Sequence, residues 1–234
     1  RVQPQPAGAP LTTVSGAKAA GVTAALAPQS GPILSKPVLT AEGLTPGQPV
    51  DAYWMTARGN RVTASGWSLA EIPLGTVSAD ANGRVTGPVE VPDDLGGWHV
   101  LKLAQNGQIV AEAPYFVERS LVSVSKTQVK AGEAISITIK GVGWTELDNG
   151  FAVTYDNAFV GYACGFNSNG DVTMEVVATG GKGTHLIDLY PMLYAGKDAK
   201  WWYWTPVLTY ARDFPGLALG YRLPAFRLAI DVTD

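Results

Sequence analysis

The chain has 234 residues, 46% of them hydrophobic and only 16% charged, with a net charge of −3. That length suits one large domain or two modules of about 100 residues, and the composition is globular, not disordered. A slightly acidic chain has no basic field for nucleic-acid phosphates or anionic membranes, and no apolar run approaches the ~20 residues of a membrane-spanning helix.

A single cysteine, Cys164, excludes an internal disulfide, so packed cores must supply the stability. Alternation groups Cys164 with Tyr162 and Phe166 on one strand face, and burial is expected there. The low charge and the many Gly, Pro, Trp and Tyr residues favour an extracytoplasmic setting (secreted, periplasmic or cell-surface). The chain opens on Arg1, which fits a leader or upstream domain lying before it.

Residues 1–35 are rich in Pro, Ala and Gly and read as a tail or linker ordered by lying on another surface, a partner's ahead of the chain's own domains or a neighbouring molecule. Ala17–Leu26 is the one helical candidate, weakened by Gly16 and Gly21. From Lys36 the pattern turns to short strands: 36–41, 50–55, 76–79, 85–91, 98–103 and 109–117. Residues 65–74 are too irregular to assign. Asp80-Ala81-Asn82-Gly83 reads as an Asn-Gly hairpin between its flanking strands, and Asn106-Gly107 as a second turn.

A second series begins at Leu121. Ile135, Ile137 and Ile139 alternate with Ser136, Thr138 and Lys140, the signature of a half-buried strand. Strands follow over 151–155 and 159–166 around the turn Asp156-Asn157. The hairpin Asn169-Gly170 leads into 172–178, then 185–193 and 225–232. Two segments echo each other: Asp80-Ala81-Asn82-Gly83 before His99-Val100-Leu101-Lys102-Leu103, and Asn169-Gly170 before His185-Leu186-Ile187-Asp188-Leu189. The only two histidines fall at matching places. The expected fold is therefore all-β: two tandem Ig-like antiparallel β-sandwiches, 36–119 and 120–234, behind an extended N-terminal tail.

The opening of each module, together with the Asn-Gly turns, resembles the bacterial immunoglobulin-like repeats of surface and secreted proteins, including the IPT/TIG and filamin-like types. That resemblance implies a spacer or adhesion role and brings no catalytic residues.

Alternation places His99 with Leu101 and Leu103, and His185 with Ile187 and Leu189, so both imidazoles are expected on the core side as structural groups, alongside the turn residues Asn82, Gly83, Asn169 and Gly170. No His-x-His, Cys-x-x-Cys, Gly-x-Ser-x-Gly or phosphate loop occurs, and the turns lack the ligand set of a calcium loop. No metal, cofactor or catalytic residue is expected.

The modules differ most at 195–224, an aromatic-rich insertion holding Trp201, Trp202, Tyr203 and Trp204, with Tyr210 beyond. Alternation sends half of such a run to each face, so part of it is expected as a binding patch for protein. The expected function is a non-catalytic structural, adhesive or assembly subunit that contacts a protein partner through the tail and the insertion. The alternative is a carbohydrate-binding accessory module with the Trp201–Trp204 cluster as its sugar platform.

Overall fold

The computed structural model describes residues 19–59, 67–143, 150–165, 169–191 and 224–234. These residues form strands and turns, with no helix among them. The chain divides into two compact units, with the boundary between Arg119 and Ser120.

In the first unit, β1 (Thr23–Ala27), β3 (Val38–Glu42) and β6 (Val85–Pro88) make a three-stranded sheet in the order β1-β3-β6. The second sheet has five strands, in the order β2-β8-β7-β4-β5. Its members are β2 (Ser30–Gly31), β4 (Pro49–Gly59), β5 (Trp67–Ser78), β7 (Gly97–Gln105) and β8 (Gln108–Val117). The core between the sheets takes Leu26, Leu39, Ala41 and Val85 from one side, and Val50, Trp54, Leu101, Leu103, Ala113 and Tyr115 from the other.

The second unit repeats this plan. A three-stranded sheet runs β14-β11-β9 and a five-stranded sheet runs β10-β16-β15-β12-β13. The strands are β9 (Ser120–Val124), β10 (Gln128–Lys130), β11 (Ala134–Lys140), β12 (Gly150–Tyr155), β13 (Ala158–Cys164), β14 (Asp171–Val177), β15 (Gly183–Pro191) and β16 (Phe226–Thr233). Ile135, Ile137 and Ile139 are fully buried, as alternation requires, and face Phe151, Val153, Ile187 and Leu189 across the core. In each unit a short strand near the start pairs in parallel with the last strand: β2 with β8 and β10 with β16. All other pairings are antiparallel.

Four expectations change. The helix expected within Ala17–Leu26 gives way to β1, which pairs with β3 over five residues and buries Leu26. A sheet edge offers those residues hydrogen bonds and an apolar face, which outweighs the weak helical preference of alanine. The tail expected over 1–35 therefore contributes β1 and β2 to the first unit; residues 1–18 lie outside the described residues. Of the irregular segment 65–74, residues 67–74 lie in β5, a twelve-residue edge strand, and 65–66 lie outside the described residues. An edge strand with few buried positions shows no clean alternation, and Pro73 is tolerated there because an edge has spare donors.

Finally, Asn82-Gly83 and Asn169-Gly170 do not close hairpins. Each lies on a connection between strands of different sheets, β5 to β6 and β13 to β14. At the first, the Asp80 carboxylate accepts from the amides of Asn82 (2.8 Å) and Arg84 (2.9 Å), an Asx turn that redirects the chain across the sandwich. The two-residue hairpins are Asn106-Gly107, joining β7 to β8, and Asp156-Asn157, joining β12 to β13, with positive φ at every central residue.

Candidate functional site

Both histidines stand at the start of the equivalent strand, next to an aromatic ring on the neighbouring strand. Trp54 on β4 pairs with Leu101, two residues beyond His99. Tyr155 on β12 pairs with Ile187, two residues beyond His185. In each unit the histidine Nε2 meets the carbonyl oxygen of the residue four positions earlier, Leu95 at 2.8 Å and Gly181 at 2.7 Å. The sequence echo is thus a repeated corner, in which an imidazole ties the preceding turn to the sheet.

The two corners differ in electrostatics. His99 is fully buried and stacks on Trp54 at 4.8 Å, with Nδ1 2.7 Å from the Met55 carbonyl. Asp94, also buried, lies 4.0 Å from Nδ1. Its carboxylate accepts from Trp54 Nε1 at 3.2 Å and from Arg58 Nη1 at 2.8 Å. Burial lowers the His99 pKa below its ordinary value, outweighing the upward pull of Asp94 and the two carbonyls.

His185 is partly exposed, at the rim of its sandwich, and its Nδ1 donates to Asp156 Oδ2 at 2.6 Å. The other carboxylate oxygen accepts from the Leu186 amide at 2.8 Å. The Asp156 hydrogen bond, and then the Gly181 carbonyl, raise the His185 pKa. The bond from His185, and then the Leu186 amide, lower that of Asp156. Tyr155 completes this corner: its hydroxyl donates to the Thr179 carbonyl at 2.8 Å and accepts from the Thr179 amide at 3.1 Å.

Every ring nitrogen in the two corners is thus taken by a scaffold partner. Asp188, buried on β15, is held by Arg227 through bonds of 2.7 and 2.9 Å. Among the described residues no group of three or more His, Cys, Asp or Glu is placed to hold a metal ion.

The exposed apolar surface lies elsewhere. In each unit a groove opens between the edge strand of the five-stranded sheet and that of the three-stranded sheet. The first groove, about 740 Å³, runs between β5 and β6 and is lined by Ile72, Leu74, Val77, Val85 and Val89. The second, about 370 Å³, runs between β13 and β14 and is lined by Val153, Val160, Tyr162, Met174 and Val176. Five of the eight large hydrophobic residues exposed among the described residues sit on these edge strands: Leu69, Val77, Val160, Tyr162 and Val177.

Tyr162, 65% exposed, corrects the burial expected of its strand face, and Cys164 beside it is only half-buried. Tyr162 alternates with Ala163, which packs against the core, so its face of β13 is the outer one. Of the other expected site residues, Asn82 and Asn169 are exposed in their turns, while Gly83 and Gly170 are buried with φ of 71° and 65°. Gly83 leaves no room for a side chain, because a Cβ would lie 2.2 Å from the Leu44 carbonyl oxygen. Trp201, Trp202, Tyr203, Trp204 and Tyr210 lie outside the described residues. Sequence reasoning missed Trp54, Asp94 and Arg58 around His99, and the coupling of Asp156 to His185. The available signal was the aromatic at the same strand position in both units.

No family model matches the chain, and no curated protein matches it. Among solved structures, a β-glycosidase from Bacteroides vulgatus aligns over 90% of this chain and 25% of its own, at 16% identity and a TM-score of 0.27. Murine CEACAM1b aligns over 72% of this chain and 91% of its own, at 13% identity and a TM-score of 0.21. The human OSCAR ligand-binding domain aligns over 72% and 88%, at 12% identity and a TM-score of 0.25. The chain thus spans a quarter of the glycosidase's length. Likenesses this distant carry no functional statement, and the fold itself stands on the strand order above: an all-β chain of two repeated β-sandwich units.

Proposed function

We propose that this chain is a non-catalytic, extracytoplasmic structural or adhesive subunit of the immunoglobulin-like repeat type, engaging a protein partner on the groove side of its sandwiches. The observation that carries the reading is the concentration of exposed apolar side chains on β5, β13 and β14, beside two equivalent grooves. Clustered apolar exposure marks an interaction surface more often than a solvated one. The chemistry-bearing side chains support it from the other direction, since His99, Asp94, His185, Asp156 and Asp188 are all bonded into the scaffold. The tail before residue 19 and the 195–224 insertion remain part of the proposed contact surface.

The test is co-migration of the purified chain with a partner from the envelope or secreted fraction of its source. Leu69→Glu and Tyr162→Glu are expected to weaken that association while changing stability by no more than about 0.5 kcal/mol, as surface substitutions do. Removal of residues 1–18 should weaken it further without touching β1. Association unaffected by all three changes would refute the reading. Binding to a glycan panel that is lost in Trp202→Ala would move the chain to the carbohydrate-binding class.

A further inference from the structure

The corner around His185 differs from its twin around His99 in two respects: the acceptor at Nδ1 is a carboxylate, and the ring reaches solvent. Gly181 offers a carbonyl oxygen and Asp156 a carboxylate, and neither can donate a hydrogen bond. Both bonds therefore exist together only when both ring nitrogens carry hydrogen, that is, when His185 is an imidazolium. The turn it holds, Thr179–Lys182, joins β14 to β15 and is fastened by two side chains, Tyr155 at Thr179 and His185 at Gly181. Gly180 lies against the imidazole so closely that a Cβ there would be 2.7 Å from His185 Cε1, and its φ is +94°.

We propose that His185 is a proton-operated latch, holding the Thr179–Lys182 turn against the second sandwich in its doubly protonated form and releasing it on losing one proton. The proton leaves Nε2 for solvent, because Nδ1–H is retained by the charged acceptor Asp156, the stronger of the two bonds. A bare Nε2 lone pair then faces the Gly181 carbonyl oxygen at 2.7 Å, and two acceptors at that distance repel. Tyr155 still holds Thr179, so the release is confined to Gly180–Lys182.

Among the described residues, the titratable or charged groups facing the ring are Asp156, from the turn after β12, and Tyr155, from β12 itself, at 5.5 Å between ring centroids. Lys182, within the latched turn, is paired with Asp234 at 2.6 Å. Asp231 on β16 accepts from the Thr184 hydroxyl at 2.7 Å.

The sign of the pH dependence follows from the direction of each shift. The His185 pKa is raised, so the latch is fully closed below the ordinary value of 6.5 and opens as pH rises through the raised value. The Asp156 pKa is lowered, so on the acid side the latch holds to below 3.8. His99 is the internal control. Its nitrogens also face two acceptors, the Met55 and Leu95 carbonyls, but the ring and Leu95 are buried, so packing holds that turn whatever the proton count, and burial lowers the pKa.

The experiment is side-chain ¹⁵N NMR of the full chain from about pH 5 to about pH 9, the range in which histidines switch. Backbone ¹⁵N order parameters of Gly180–Lys182 are followed in parallel. Expected are two protonated nitrogens on His185 below pH 6.5, a one-proton step above it, and a fall in the order parameters of the turn at the same midpoint. Asp156→Asn should move that midpoint down. A His185 midpoint at or below the ordinary value would overturn the proposal, as would order parameters of the turn that stay flat through the step. Both readings come from the unmodified protein, so a variant that fails to fold does not blunt the test.

Discussion

At the residue scale, two near-identical histidine corners take opposite electrostatic characters, one because its ring is buried and the other because a carboxylate lies at Nδ1. Met55 presents a backbone carbonyl and Asp156 a carboxylate at the position following the aromatic of each unit. The first corner relies on burial and is expected to be the more sensitive to deletion. His99→Phe keeps the stacked contact with Trp54 but removes the one N–H that a neutral ring donates to the Met55 or Leu95 carbonyl, and it should cost about 1–3 kcal/mol in chemical denaturation. Asp94→Ala leaves Trp54 Nε1 and Arg58 without their shared acceptor. Since Arg58 reaches solvent, the loss should also be about 3 kcal/mol, at the low end for a broken buried pair. Gly83→Ala faces both a positive φ and the Leu44 carbonyl, so it should lower stability by at least about 1–2 kcal/mol.

At the element scale, strands with one dry and one wet face were legible, as were the edge strands β6, β13 and β14, whereas most of the edge strand β5 was not. β11 announces itself because Ile135, Ile137 and Ile139 all enter the core while their neighbours do not. Ile137→Ala should cost about 2–5 kcal/mol, measured by the denaturation midpoint. β5 and β13 carry apolar residues outward as well as inward, so alternation blurs on the strands that border the grooves. At Asn82-Gly83 and Asn169-Gly170 the Asn-Gly signal was sound as a turn and misleading as a hairpin, whereas Asn106-Gly107 does close one. Local turn chemistry specifies a reversal of the chain, whereas the sheet that the next strand joins depends on partners far away in sequence. β1 shows the same dependence, since nothing within Ala17–Leu26 specifies β3 as its neighbour. Deletion of residues 1–18 should leave the thermal transition of the first unit in place. Deletion through Gly31, which removes β1 and β2, should abolish or sharply lower it.

At the scale of the whole molecule, each unit encloses a core of its own, with a five-stranded and a three-stranded sheet in the same order. A chain ending at Arg119 is accordingly expected to keep β-type circular dichroism and a cooperative melt. Loss of both would show that the first core is not self-sufficient. The amino-acid order alone determined the all-β class, the repetition of one module, and the core side of the interior strands, because these follow from composition, turn residues and a period of two. It also placed both histidines at equivalent strand starts. Only the tertiary structure decided which sheet each strand joins, that the turn before β6 crosses the sandwich, and that β13 leaves Tyr162 in the open. It alone set Asp94 beside His99 and Asp156 against His185. These are contacts between residues dozens of positions apart, and they depend on strand register and burial, which no local pattern encodes.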